Sequence, residues 1–267
     1  MKKWLRIVLI ILFSALFLIS AFMIVRYYGN SQKQAAKFDE LSGMVQNRPT
    51  RPAIPEKTEP SASEPTATEP ISTEPPQILP EYAEVSALNP DMVGWLQLEG
   101  TKLDYPVMQT PSDPEYYLHK DFYGKYSSHG CLFTEEFCSI DSPSDNITIY
   151  GHNMKDGTMF GVLRNYRSKS YWESHRYIHF DTLTERHTYE IFAVFTTVAT
   201  KGKGFAYHQF VDAKDQAEFD EYVADCLAAS LYHTGVTAQY GDKLITLSTC
   251  EYSQKNGRLV VVAKRVI

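Results

Sequence analysis

Leu244-Ile245-Thr246-Leu247-Ser248-Thr249-Cys250 and, opening eight residues beyond the cysteine, Arg258-Leu259-Val260-Val261-Val262 read as two neighbouring β-strands joined by Glu251–Gly257. Strand alternation places Thr246, Ser248 and Cys250 on one face and Ile245, Leu247 and Thr249 on the other. A thiol at the C-terminal end of a strand, on its more polar side, lies where a substrate can reach it. A short connection brings the Arg258 guanidinium beside that thiol. A cation there lowers a thiol pKa and holds the oxyanion of a tetrahedral intermediate. The plainer reading of Arg258 is a solvent-facing charge at a strand end.

Other segments carry the same β signal. Met92–Leu98 and Leu103–Met108 are separated by the turn Glu99-Gly100-Thr101, and Asn146–Tyr150, Tyr177–Phe180 and Tyr189–Ala199 are rich in Ile, Val, Tyr, Phe and Thr. Helical patterns are fewer. The clearest is Ala213–Ser230, with Phe219, Tyr222, Val223, Cys226 and Leu227 on one face; shorter ones are expected near Glu81–Leu88 and Met159–Tyr166. Many strands, few helices and no strict alternation between them predict a mostly-β fold, a barrel or a sandwich with peripheral helices.

The N-terminal third is built differently. Ile7 to Val25 is a 19-residue run without a charge. As a helix it spans roughly 29 Å, the hydrocarbon thickness of a bilayer. Lys2, Lys3 and Arg6 precede it, and only Arg26 and Lys33 follow closely, so the N-terminus is expected in the cytoplasm and the rest outside. A cleaved signal peptide would carry a shorter apolar core and a small-x-small site, which Ile19-Ser20-Ala21 matches poorly. Ser31–Met44 has the spacing of a short amphipathic helix through Ala35, Phe38, Leu41 and Met44. Nine of the 14 prolines fall between Asn47 and Pro80, where Glu-Pro recurs every five residues from Glu59 to Pro75. Proline denies that stretch helix and ladder hydrogen bonds. Extended, it would reach roughly 100 Å, a spacer or a plain tether. The expected organisation is a cytoplasmic end (1–6), an anchor (7–25), a juxtamembrane segment (26–46), a Pro/Glu/Thr-rich spacer (47–80) and a folded domain (81–267).

Net charge −6 argues against nucleic acid as the main partner, and four cysteines are too few for a disulfide scaffold. Cys226 reads as core, on the apolar face of the best helix. Cys131 and Cys138 lie in a strand-and-turn segment whose spacing does not specify a disulfide. A nucleophilic Cys250 needs a base. Of eight histidines, His152 stands out because it follows a strand end and a glycine, in Tyr150-Gly151-His152-Asn153-Met154.

Tyr150-Gly151-His152-Asn153-Met154, Leu247-Ser248-Thr249-Cys250 and Arg258, in that order, resemble the His–Cys–Arg constellation of the sortases. Asn89-Pro90-Asp91-Met92-Val93-Gly94-Trp95, Asp104-Tyr105-Pro106-Val107, Tyr116-Tyr117-Leu118 with Asp121-Phe122-Tyr123-Gly124, and the long helix ahead of the cysteine strand resemble class B. The resemblance spans about Glu81 to Ile267. It implies a closed β-barrel of about eight strands with peripheral helices. It further implies a membrane-anchored cysteine transpeptidase of Gram-positive bacteria. Such an enzyme cleaves an Asn-Pro-x-Thr-like C-terminal sorting signal through a thioacyl intermediate. It then joins the product to an amine of the peptidoglycan cross-bridge or of a pilin. Cys250 would be the nucleophile, His152 the general acid/base and Arg258 the oxyanion and substrate stabiliser, with no metal and no cofactor. Ser248, Glu251 and Tyr207 would line the peptide groove. The acidic residue that some class B enzymes carry two positions after the cysteine is Tyr252 here, so no third triad member is assigned.

Three rival readings stand beside this one. Ser128-His129-Gly130-Cys131 resembles the core motif of the L,D-transpeptidases, but continues with Leu132-Phe133-Thr134 where that family has a small apolar residue and then Asn or Arg. A plain cysteine peptidase would differ only in using water to resolve the thioester. A stalked, non-catalytic binding domain would need none of Cys250, His152 and Arg258.

Overall fold

The computed structural model describes residues 3–45, 48, 49, 51, 77–200 and 202–267. Its centre is a closed eight-stranded barrel: β1 (Met92–Gln97), β2 (Asp104–Met108), β3 (Leu132–Thr134), β4 (Asn146–Tyr150), β5 (Tyr177–Thr182), β6 (Thr188–Val198), β7 (Leu244–Glu251) and β8 (Gly257–Arg265). Around the barrel the strand order is β1-β2-β3-β4-β7-β8-β6-β5. Closure resolves the choice between barrel and sandwich and leaves no sheet edge unpaired.

Two of the pairings, β2 with β3 and β4 with β7, are parallel; the others are antiparallel. Parallel neighbours need long crossovers. The crossover from β4 to β7 carries two of the eight strands, β5 and β6, and the 14-residue helix α4 (Gln216–Ala229). Asp215 caps α4 by accepting from the Glu218 amide at 3.0 Å, and Glu218 reaches back to the Lys214 amide at 2.8 Å. The helix buries Phe219, Tyr222, Val223 and Cys226 against the barrel, with Tyr222 stacked on Phe210 at 4.0 Å between ring centres.

Two expected elements differ. The Met159–Tyr166 segment is not an α-helix. Met159 takes a φ of +50°, and Phe160–Arg167 winds as a 3-10 helix before the short α3 (Lys169–Ser174). Nor is Ser31–Met44 a separate helix. It is the second half of α1 (Lys3–Met44), a single 42-residue rod roughly 63 Å long. The first half, containing Ile7–Val25, is exposed and is long and apolar enough to cross a membrane.

The second half of α1 lies along the barrel. Phe38 and Leu41 are buried there, Phe38 edge-on to Tyr105 at 5.1 Å. Ser31 hydrogen-bonds Asp156, Lys37 pairs with Asp121 at 2.6 Å, and Ser42 donates to Asp104 at 2.5 Å. Beyond the helix, Arg48 pairs with Asp104 at 2.8 Å, and Arg51 grips buried Asp181 through both carboxylate oxygens at 2.9 and 2.8 Å. α2 (Pro80–Leu88), with proline in its first turn, adds the Tyr82 hydroxyl to Asp181 at 2.6 Å. Most of the Pro/Glu/Thr-rich stretch, 52–76, lies outside the described residues.

Candidate active site

The C-terminal ends of β4 and β7 and the start of β8 meet at one mouth of the barrel. Antiparallel pairing sets Cys250 directly opposite Arg258. Residues opposed in this way project to the same face of the sheet with Cα atoms roughly 5 Å apart. On the other side of β7, the parallel pairing of Tyr150 with Ser248 brings the chain after β4 alongside the cysteine. Gly151 makes that approach possible. A Cβ there would stand 2.5 Å from Leu132 Cδ2 and 2.9 Å from Phe160 Cδ2. Thr249 Oγ1 donates to the Gly151 carbonyl at 2.7 Å, and Asn153 Nδ2 donates to the Cys250 carbonyl at 2.8 Å. These two bonds fasten the histidine loop to the cysteine strand.

Cys250, His152 and Arg258 all line one cleft of about 540 Å³. Ser248 and Tyr207 are also in its wall, joined by a 2.6 Å hydroxyl–hydroxyl hydrogen bond. Tyr207 is held by a 3-10 turn, Tyr207–Gln209, and burial raises its phenol above the ordinary value. The apolar wall comes from Leu118, Phe133, Phe137 and Tyr150. Glu251 is different. Alternation turns it away from the face of Cys250, and it binds Ser253 Oγ at 2.5 Å and Arg167 at 2.6 Å. It is not among the residues of the cleft.

His152 is half-buried. Burial lowers its pKa below the ordinary value, and the nearby His119 and His129 push the same way against the opposing Leu118 carbonyl. That carbonyl stands 2.8 Å from His152 Nε2. A carbonyl only accepts, so Nε2 carries the proton and Nδ1 holds the lone pair of the neutral ring. His119 stacks on His152 at 5.6 Å and 23° between planes. The Arg258 side chain makes a single hydrogen bond among the described residues, from Nη1 to the neighbouring Gly257 carbonyl at 3.1 Å, and no carboxylate pairs with it there. Its guanidinium donors therefore remain for a ligand.

Three contributors escaped the sequence reading. His119 and Asn153 act through contacts that only the folded loops create. Glu135, whose carboxyl burial raises, accepts from the Tyr150 hydroxyl across the cleft floor. His119 and Glu135 carry no spacing signal, and the histidine motif that contains Asn153 assigns it no role. The four cysteines are free. Cys131, the nucleophile of the rival motif, is 1% exposed, and burial pushes its thiol well above the ordinary value. A thiol so placed neither ionises readily nor meets a substrate.

A sortase-domain family model matches residues 96–266. Sortase B of Staphylococcus aureus is 28% identical over 266 residues, covering 99% of this chain and 97% of its own. Sortase B of Listeria monocytogenes is 33% identical over 192 residues, 71% of this chain and 76% of its own. Among solved structures, a Staphylococcus aureus sortase B–substrate complex superposes with a TM-score of 0.71 at 25% identity, over 89% of this chain and 98% of that one. Sortase B from Bacillus anthracis in complex with AAEK1 gives 0.70 at 28% identity, over 90% and 99%.

Proposed function

This chain belongs to the sortase family, and we propose that its cysteine transpeptidase chemistry runs through Cys250, His152 and Arg258. As an enzyme of sortase B type it acts on sorting signals. The observation that carries the assignment is the register pairing of Cys250 with Arg258 in a cleft that His152 also lines.

The Cys250 thiol passes its proton to the free Nδ1 of His152 as the sulfur attacks the carbonyl carbon of the signal's threonine, and a tetrahedral oxyanion forms. Arg258 donates to that oxygen. Collapse breaks the peptide bond, and His152 Nδ1 delivers the proton that the departing amine requires. The resulting thioester is attacked by an acceptor amine, whose proton returns to Nδ1. The second collapse forms the new amide and releases the Cys250 sulfur. Ser248 and Tyr207 bind the peptide. An Asn-Pro-x-Thr-like signal is the substrate, and a peptidoglycan cross-bridge or pilin amine is the acceptor. A relative solved as a substrate complex supports reading the cleft as the peptide site. Residues 7–25 anchor the protein, with 1–6 in the cytoplasm and 81–267 outside as the catalytic domain; the asymmetry of the flanking Lys and Arg residues supports this topology.

The test is intact-mass analysis and peptide mapping of the full-length protein incubated with candidate signal peptides, with and without an amine. An acyl adduct on Cys250 that the amine converts into a new peptide bond is expected. An adduct on another cysteine refutes the assignment. So does wild-type turnover by Cys250→Ala.

A further inference from the structure

The path of α1 over the barrel fixes which end of the catalytic domain meets the membrane. Ser31, six residues or about 9 Å of helix beyond Val25, already touches Asp156 and lies 3.3 Å from His129 Nε2. Asp156 is four residues beyond His152. Lys37, a turn and a half further on, reaches Asp121, two residues past His119. Ser42 and Arg51 then reach Asp104 and Asp181 in β2 and β5. The rod therefore leaves its apolar section beside the catalytic loops and runs away from them along the barrel. Tyr27, two residues past the apolar run, is close enough to Tyr252 to add to the burial and the Cys250 charge that raise the Tyr252 phenol.

The surface chemistry of that mouth is unlike the rest of the barrel. Tyr126, Tyr252 and Phe137 are 75%, 74% and 73% exposed, the three most exposed large apolar side chains of the described barrel residues. All three surround the cleft. Phe137 lines it, Tyr252 follows Cys250 by two residues, and the Tyr126 ring lies 6.4 Å from that of His119. Exposed Lys125 and Lys255 stand beside Tyr126 and near Tyr252 in the chain. Tyrosine with flanking lysine is the composition that settles at the headgroup level of a bilayer.

The anchors of the Pro/Glu/Thr-rich segment complete the picture. Arg51, just before it, is held by Asp181, and Leu79, just after it, donates its amide to the Leu183 carbonyl at 2.7 Å. Those two sites are two residues apart, about 7 Å of extended chain. The described residues on either side of the segment thus attach to neighbouring points of the barrel, and it is α1, not the length between them, that sets the height of the domain.

We propose that the docked second half of α1 seats the barrel on the phospholipid bilayer with its active-site mouth against the headgroups, the aromatic rim of Tyr126, Phe137 and Tyr252 resting in the interface. The cleft then opens toward substrates that are still membrane-borne. The proposal builds on the sortase reading for the identity of the cleft, but its test does not use catalysis.

Full-length protein carrying Trp4→Phe is reconstituted into bilayer nanodiscs of phosphatidylcholine and phosphatidylglycerol. Single indoles are placed by Tyr252→Trp at the mouth or Tyr240→Trp beyond the opposite end of β7, about 20 Å away along the strand. Trp95 and Trp172 are buried and provide a constant background. Lipids brominated near the headgroup end of their acyl chains should quench the indole at position 252 and leave that at 240 unchanged. Replacing residues 52–76 by a short Gly-Ser linker should preserve this difference. Equal quenching at both positions, or none at 252, overturns the proposal. A difference that disappears with the linker replacement means that residues 52–76, not α1, set the orientation, and overturns the proposal. Cys250 acylation by a soluble signal peptide, measured on the same samples, tests the sortase reading separately.

Discussion

Arg258 can be removed without dismantling anything else, which makes it the sharpest test of the site. Its side chain is half-buried, makes one hydrogen bond to a neighbouring carbonyl, and has no carboxylate partner among the described residues. Arg258→Ala should therefore shift stability by no more than about 0.5–1 kcal/mol. The transition state is affected far more. An oxyanion facing Arg258 loses a charged donor, and loss of one such donor costs roughly 3–4 kcal/mol, a factor of about 10²–10³ in kcat. Arg258→Lys keeps the charge opposite Cys250 but not the planar fork, and should fall between the two. The assay is transfer of a signal peptide to an amine, with kcat and KM resolved, alongside a thermal melt. The expected pattern is a large fall in kcat with Tm nearly unchanged. A kcat within about threefold of wild type would refute oxyanion stabilisation by Arg258. A rate loss accompanied by a collapse in Tm would mean that the residue is structural.

Other outcomes follow from the same geometry. His152 should titrate below its ordinary value in an NMR pH series, and His119→Ala, which removes both a covering ring and a like charge, should move that titration upward; an unchanged or lower midpoint would contradict the stated causes. Because the folded pKa is depressed, the unfolded chain takes up the proton first. His152 burial therefore contributes stability above about pH 6.5 that is lost as the pH falls below it, and His152→Gln should flatten that part of a stability–pH curve. Asp181→Ala leaves the buried ends of Tyr82 and Arg51 unpaired and should cost about 3–5 kcal/mol, read as a fall of roughly 10 °C in Tm; a change under about 2 °C would deny the carboxylate its structural role. Cys131→Ala should keep acyl transfer near wild type while lowering stability modestly, whereas Cys250→Ala should abolish transfer.

Much of the barrel was legible because β-structure writes a period of two into neighbouring residues. Seven of the eight strands carried that signal, and the short β3 was read only as a strand-like segment. The Cys250–Arg258 pair was legible for a related reason: a short connection between adjacent strands leaves few registers. The apolar run of α1 was equally plain, since membrane-spanning length is a local property. What the chain could not show locally was decided by pairing at a distance. His152 reaches the cleft only through the parallel alignment of β4 with β7, about a hundred residues apart. Glu251 leaves the groove because β7 continues its alternation one residue past the cysteine. Cys131 is excluded by burial, which sums contributions from the whole fold. The second half of α1 was readable as amphipathic, but the partners of that half and of Arg48 and Arg51 just beyond it, Asp104, Asp121, Asp156 and Asp181, lie on segments separated by up to about 80 residues. Local sequence determines hydrogen-bond periodicity. Only the closed barrel brings those carboxylates together, where the lower local dielectric strengthens pairing with Lys37, Arg48 and Arg51 and burial makes an unpaired carboxylate costly.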